Sequence, residues 1–264
     1  MIGSKKEIPL WWHLNEGKPN YGDIMNPWLV EKISQRPVKR KELGRFSFGK
    51  VYVVIGSVMA IVRSNCIVWG SGIIKKDDHP ARAKFLAVRG PHTRNRLLEL
   101  GYECPEIFGD PALLLPKYFN PPVEKTHRLG VIPHYVNYKE VYDRFNSTDI
   151  KVINLIDPDV EKVTREIMSC EMTMSSSLHG IIISHAYNIP SLWTKFDVDL
   201  YGDDVKFEDY FESVGIVPYP AFNSSILEEI SKAVTLIHDH PAINSIQKDY
   251  EEICNNLMSV CPFK

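Results

Sequence analysis

Short apolar, β-branched runs alternate with stretches at helical spacing along most of this chain, and nearly every run closes on a small or polar loop. Residues 51–55 end at Gly56-Ser57, 66–69 at Gly70-Ser71-Gly72, 85–88 at Arg89-Gly90-Pro91, and 106–108 at Gly109-Asp110-Pro111. Runs of this length, bounded by turn residues, predict strands buried on both faces. Between them, 58–64 and 93–100 predict helices, the second stopped by Gly101. Ahead of them an apolar stretch, Trp11-Trp12-His13, leads through a glycine turn to a helix start near Asp23 or Asn26.

The rhythm breaks once. Residues 117–127 are polar and carry Pro121-Pro122, which predicts a domain boundary. Beyond it the pattern restarts, with predicted strands at 128–132, 151–156, 171–175 and 190–193. Predicted helices lie at 138–145, 157–169, 177–187 and 205–214. Two amphipathic packing helices, 225–238 and 242–259, finish the chain. Strand–helix alternation in both halves predicts an α/β protein of two parallel-sheet, Rossmann-like domains, 1–120 and 126–264, facing each other across a cleft. With 264 residues, each half is long enough to bury its own core.

Composition narrows the partners. The net charge is −2 with both signs interspersed, which gives no field for nucleic acid. The basic run from Arg36 to Arg45 reads as a solvated loop, or as a weak attraction to an anionic membrane surface. The cysteines, Cys66, Cys104, Cys170, Cys254 and Cys261, are odd in number and widely spaced. That argues against a disulfide framework or a zinc site and for a reducing compartment. No leader is visible, and no apolar run approaches the roughly 20 residues that span a bilayer. A cytoplasmic protein with no bound metal is expected.

In folds of this type ligands bind beyond the C-terminal ends of strands, so the post-strand loops carry the candidates. Asn20-Tyr21-Gly22-Asp23 offers a carboxylate that either caps a helix or handles a hydroxyl proton. Gly56-Ser57 and Gly70-Ser71-Gly72 let an anion approach backbone N–H groups. Arg89 stands at a strand end as an anion anchor or one half of a structural ion pair. His134 is a loop histidine suited to acid–base work. Ser175-Ser176-Ser177-Leu178-His179-Gly180 ends a strand in hydroxyls and opens an apolar helix, whose free N–H groups form a ready anion site. His185 falls on another face and reads as a packed histidine. Asp203-Asp204 reads as a solvated turn.

Taken in order, Asn20-Tyr21-Gly22-Asp23, Gly56-Ser57, Trp69-Gly70-Ser71-Gly72, Arg89-Gly90-Pro91, Gly109-Asp110-Pro111-Ala112, Pro133-His134-Tyr135 and Ser176-Ser177-Leu178-His179-Gly180 resemble the polysaccharide pyruvyltransferase family, in its bacterial exopolysaccharide and capsule branch. The resemblance implies a glycosyltransferase-B-like fold and phosphoenolpyruvate as co-substrate, without a further cofactor. It also implies a sugar or lipid-linked oligosaccharide acceptor, met at the inner membrane face, and a pyruvate ketal as product. On this reading His179 is the general acid, with His134 the second choice, and Asp23 the base or orienter. Arg89, Ser176, Ser177, Leu178, Asn20, Gly22, Gly70, Ser71 and Asp110 bind substrate. Ser177 stands where other branches carry arginine, which leaves Arg63, Arg94 or Lys195 to supply a cation. Two other classes fit the residues. A nucleotide-sugar glycosyltransferase would use Asp197 or Asp199, and a glycan-binding module would use Trp11, Trp12 and Trp28 as platforms.

Overall fold

The computed structural model describes residues 6–14, 19–44, 49–196 and 200–264. In chain order the first half contains β1 (Ile8–Trp11), α1 (Tyr21–Ser34), β2 (Val38–Arg40), β3 (Val51–Val53), β4 (Cys66–Trp69), β5 (Lys84–Ala87), α2 (Pro91–Glu99) and α3 (Leu115–Tyr118). The second half contains β6 (His127–Ile132), α4 (Tyr138–Phe145), β7 (Ile150–Val152), α5 (Val160–Met168), β8 (Cys170–Ser175), α6 (Leu178–Ala186), β9 (Ser191–Lys195), α7 (Val205–Ser213), β10 (Phe222–Asn223), α8 (Ile230–His238) and α9 (Tyr250–Ser259). Two parallel five-stranded sheets result, ordered β2-β1-β3-β4-β5 and β10-β9-β8-β6-β7.

Both sheets share one winding. From its first strand, β1 or β6, the chain steps outward to β2 or β7. It then returns past the start to lay down the remaining strands. That reversal opens a crevice at the strand C-termini between β1 and β3, and another between β6 and β8. The core runs through both units. Leu10, Tyr21 and Trp69 of the first join Ile132, Ile153, Ile181 and Tyr210 of the second in one buried apolar cluster. Two further clusters cover the outer sides of the sheets.

Several local expectations need correction. Val38–Arg40, inside the basic run read as a loop, is an edge strand paired with β1. At a sheet edge Lys39 remains exposed while the backbone pairs. Residues 58–64 hold only a 3-10 turn, Met59–Ile61. Residues 106–108 contribute a single bridge, Val88 to Phe108. Pro111–Leu114, for which no element was expected, is a 3-10 turn. In the last predicted helix, regular turns begin only at Tyr250, where Asp249 accepts from the Glu251 and Glu252 amides.

The end of the chain crosses back. Trp69 Nε1 donates to the Leu257 carbonyl at 3.0 Å, and the Tyr250 hydroxyl donates to the Leu113 carbonyl at 2.7 Å. Phe263 packs edge-on against Tyr52 and Trp69. The apolar face of α9 (Ile253, Cys254, Leu257) thus completes the first unit, although sequence order places it with the second.

Candidate active site

The crevice between β6 and β8 is stitched by its own serines. Ser175 Oγ lies 2.8 Å from the Ile132 and Ser177 carbonyls and accepts from the Ser177 amide at 3.0 Å. Ser176 Oγ accepts from the His134 amide at 2.9 Å. A Cβ on Gly180 would come within 2.3 Å of Ser175 Oγ and 2.8 Å of Ile132. That glycine therefore lets α6 sit tightly on the sheet. Ser177 precedes α6 in extended conformation, and its side chain makes no capping bond. The first amides of α6 are thus left without a side-chain acceptor, at the positive end of the helix dipole.

The start of α1 faces the start of α6. The Tyr21 amide donates to the Leu155 carbonyl at 2.8 Å, and its hydroxyl meets Thr164 Oγ1 at 2.7 Å, so α1 is fixed to the second unit at both points. Buried Asn26 ties the other side. Its amide donates to the Ile55 carbonyl and its oxygen accepts from the Ile55 amide, which closes the β1–β3 crevice. The sequence offered Asn26 only as a possible helix start, whereas it lies inside α1 as a buried polar residue.

This docking brings His179 onto Gly22. A Cβ there would lie 2.1 Å from His179 Nδ1, so only glycine admits the ring. Asp23 stands next to it. Burial pushes its carboxyl up to about 6, with His179 and His13 pulling the other way. On the far side, His179 Nε2 lies 3.8 Å from Asp110 Oδ2. Both atoms are buried, and neither has a hydrogen-bond partner among the described residues. The separation exceeds a hydrogen bond, so a small inward shift of the ring would form one. Asp110 is fully buried, and its other oxygen accepts from the Ala112 amide. Its free oxygen faces His179.

Other expected contacts fall elsewhere. Arg89 is fully buried, and its three guanidinium nitrogens engage Asp209 Oδ2 at 3.0 Å, Ser57 Oγ at 2.6 Å and the Ile73 carbonyl at 2.6 Å. Asp209 also accepts from the Thr93 amide and hydroxyl. Arg89 is therefore half of a buried ion pair that holds α7 against the start of α2, and it presents no anion-binding face. Gly70 (φ +94°) packs on Pro111, and Ser71 donates to the Val54 carbonyl; both serve the fold. Asn20 accepts from the Gly22 amide as a helix cap. The Leu178 side chain enters the core, which leaves only its amide for a ligand. His134 lies beside Ser176, but burial and then Lys206 push it down to about 4, so its ring is neutral at physiological pH. A neutral imidazole can hold a hydrogen bond but is a poor general acid. His185, bonded to Tyr210 and the Ser191 carbonyl, is a core residue.

The missing cation was not found where sequence reading sought it. Arg63 is exposed, Arg94 pairs with Glu106, and Lys195 pairs with Asp204. Lys206, in the first turn of α7, was overlooked. Its ammonium is pushed down to about 8 by burial and then by Arg89, with Asp204 pulling upward and Lys195 downward. Among the described residues it forms no ion pair. The one signal in the sequence was a lysine set between an acidic turn and the aromatic run Phe207 to Phe211.

Asp197 and Asp199 lie outside the described residues. Trp11 is buried, and Trp12 and Trp28 are half-buried beside Arg40 and Lys32, so these three tryptophans do not form one exposed platform. Among the described residues there is no cluster of three or more His, Cys, Asp or Glu suited to a metal, and no helix is long and apolar enough to cross a membrane.

Comparison with known proteins places the chain in a family. Residues 22–195 match the family described as polysaccharide pyruvyl transferase. The succinoglycan biosynthesis protein ExoV of Rhizobium meliloti (strain 1021) is 24% identical over 227 residues, covering 80% of this chain and 66% of ExoV. The uncharacterized protein L143 of Acanthamoeba polyphaga mimivirus is 29% identical over 249 residues, covering 91% of this chain and 83% of L143. A crystal structure of a functionally uncharacterized Klebsiella pneumoniae protein, KP1_0663, aligns over 92% of this chain and 93% of its own, with 13% identity and a TM-score of 0.44.

Proposed function

Because this chain belongs to the polysaccharide pyruvyl transferase family, we propose that it moves the pyruvyl group of phosphoenolpyruvate onto two hydroxyls of one sugar. The sugar belongs to a surface or capsular polysaccharide or its lipid-linked precursor. The observation that carries this reading is the meeting of His179, Asp110 and Asp23 at the mouth of two sheet crevices. The placement of the two domains as a glycosyltransferase-B-like pair, with the reaction in the cleft and the protein at the cytoplasmic side of a membrane, is part of the same proposal.

The residues divide the work as follows. The open amides at Leu178 and His179 bind an anionic group of the donor, and Lys206 supplies the countercharge. His179, steadied by Asp110 in its protonated form, gives a proton to the donor methylene carbon, and C2 becomes electrophilic. A first sugar hydroxyl forms a bond to C2 as Asp23 accepts its proton. The second hydroxyl then bonds to C2 and gives its proton to His179, neutral since the first step, while the C2–phosphate oxygen bond breaks. Phosphate leaves with the bonding pair, and the ketal closes.

The test uses phosphoenolpyruvate carrying carbon-13 at C2, incubated with the protein and candidate acceptor saccharides. Phosphate release together with a new ketal carbon signal is expected; phosphate released with free pyruvate as the sole carbon product would sink the transfer. In titration calorimetry, Lys206→Met should weaken phosphoenolpyruvate binding at least about tenfold, as expected for a desolvated charge contact. In the wild type, binding near pH 8 should take up a proton, because the bound anion favours the charged ammonium. Unchanged affinity in the variant would remove Lys206 from the donor site.

A further inference from the structure

Asn137 lies between β6 and α4 and is only 2% exposed. Neither its amide nitrogen nor its amide oxygen has a partner among the described residues. Asparagine at a helix start ordinarily turns its oxygen onto the first-turn amides. Here the residue is already in helical conformation, at φ −93° and ψ −4°, and its side chain makes no such bond. Instead it lines a cavity of about 220 Å³ with Ser176, Lys195, Phe196 and Asp204, beyond the C-terminal ends of β8 and β9.

The walls define the ligand chemistry. Lys195 and Asp204 pair with each other, so their charges compensate. Ser176 Oγ accepts from the His134 amide and keeps its own proton to give. Asn137 presents one donor and one acceptor side by side, both desolvated. An orphaned buried amide weakens a fold unless a ligand satisfies it. A cavity smaller than the usual pocket for a drug-sized ligand suits a single ring better than a nucleotide sugar. A neutral group whose neighbouring hydroxyls both donate and accept matches these walls, where the lining lysine, Lys195, is already paired with Asp204.

We propose that this cavity is a saccharide subsite in which Asn137 grips two neighbouring hydroxyls of one acceptor ring, its oxygen accepting from one and its nitrogen donating to the other. The identification of that ring as the acceptor rests on the pyruvyl-transfer reading. Ser176 lies one residue before the Ser177 cap of α6, so a ring held here reaches toward the end of the crevice that carries His179.

Saturation-transfer NMR on the full chain tests the subsite, with methyl glucoside, methyl galactoside and methyl mannoside as probes. The wild type should transfer saturation to at least one glycoside, and Asn137→Leu should lose that signal while keeping its affinity for phosphoenolpyruvate. Because the amide has no partner among the described residues, Asn137→Leu should also unfold at the same temperature or about 2–4 °C higher. A merely structural asparagine would give a lower temperature. Should leucine crowd the cavity, Asn137→Ala removes the amide without adding bulk and reads the same way. Equal glycoside signals in variant and wild type overturn the subsite. So does the absence of any glycoside signal from the wild type, or a loss of phosphoenolpyruvate affinity in place of glycoside binding. Glycoside binding that needs Asn137 in a wild type blind to phosphoenolpyruvate would sink the donor assignment and leave the subsite standing.

Discussion

His179 is held by what surrounds it more than by any bond of its own. Gly22 admits the ring, Asp110 faces one nitrogen, and Asp23 lies beside the other edge. His179→Ala should lower the transfer rate by about 10²–10⁴-fold, the usual contribution of a positioned acid; phosphate-release kinetics check it, and full turnover would remove the role. Gly22→Ala should depress the same rate, because the new methyl displaces the ring. Asp23 gives a pH signature. Its folded-state pKa of about 6 lies above the ordinary 3.8, so folding favours the protonated form. The stability this contributes is present below about pH 4 and is lost as pH rises through about 6. The base form, needed for transfer, appears over the same upper range. Asp23→Asn should therefore be more stable than the wild type above pH 6, by on the order of 1–3 kcal/mol, and should lose the acid limb of the rate profile. Melting curves and rates between pH 5 and 8 measure both, and an unshifted limb in the variant would assign the titration to another group.

At the scale of elements, the contacts that hold the crevice together join segments distant in sequence. Arg89 after β5 and Asp209 on α7 form a fully buried pair, and α2 begins against it. A Cβ at Gly90 would come within 1.8 Å of the Asp209 carbonyl, which shows how closely the two helices meet. Removing one partner leaves the other charge buried. Arg89→Met should therefore lower stability by about 3–5 kcal/mol. Phosphoenolpyruvate affinity, measured on folded protein at low temperature, should persist. Lost affinity with an unchanged melting temperature would restore Arg89 as a direct anchor. The element pattern was legible where two strong signals coincided: strand residues 66–69 and helix residues 138–145 are found at the expected bounds. It failed at Val38–Arg40 and at 106–108, where a partner strand, present or absent, decided the outcome over local propensity.

For the whole molecule, the two sheets act as one body because side chains cross between them. Tyr21 reaches Thr164 and Leu155, and α9 returns from the end of the second half to close the first. Leu257 is fully buried, and its carbonyl accepts from Trp69. Leu257→Ala should lower stability by about 2–5 kcal/mol. If the cross-back couples the halves, both should still unfold in one transition, as read by calorimetry together with tryptophan fluorescence. Two separated transitions in the wild type would show instead that the halves are independent.

Short-range pattern carried the class of this protein. Strand–helix alternation and the residues at each strand end were sufficient for two parallel units and for the ordered loops that mark the family, because burial on both sheet faces and sharp post-strand turns leave a local trace. Which of those loop residues meet was settled only by the docking of distant segments. Arg89 and His179 look alike in the sequence, each a cationic or polar residue after a strand. Tertiary packing buried the first against Asp209, 120 residues away, and set the second against Gly22 and Asp110. Lys206 and Asn137 carried no motif. Burial without a hydrogen-bond partner distinguishes Asn137, and partial burial without an ion pair distinguishes Lys206 among the described residues; both depend on the whole fold, because only the assembled structure decides which polar groups water can still reach.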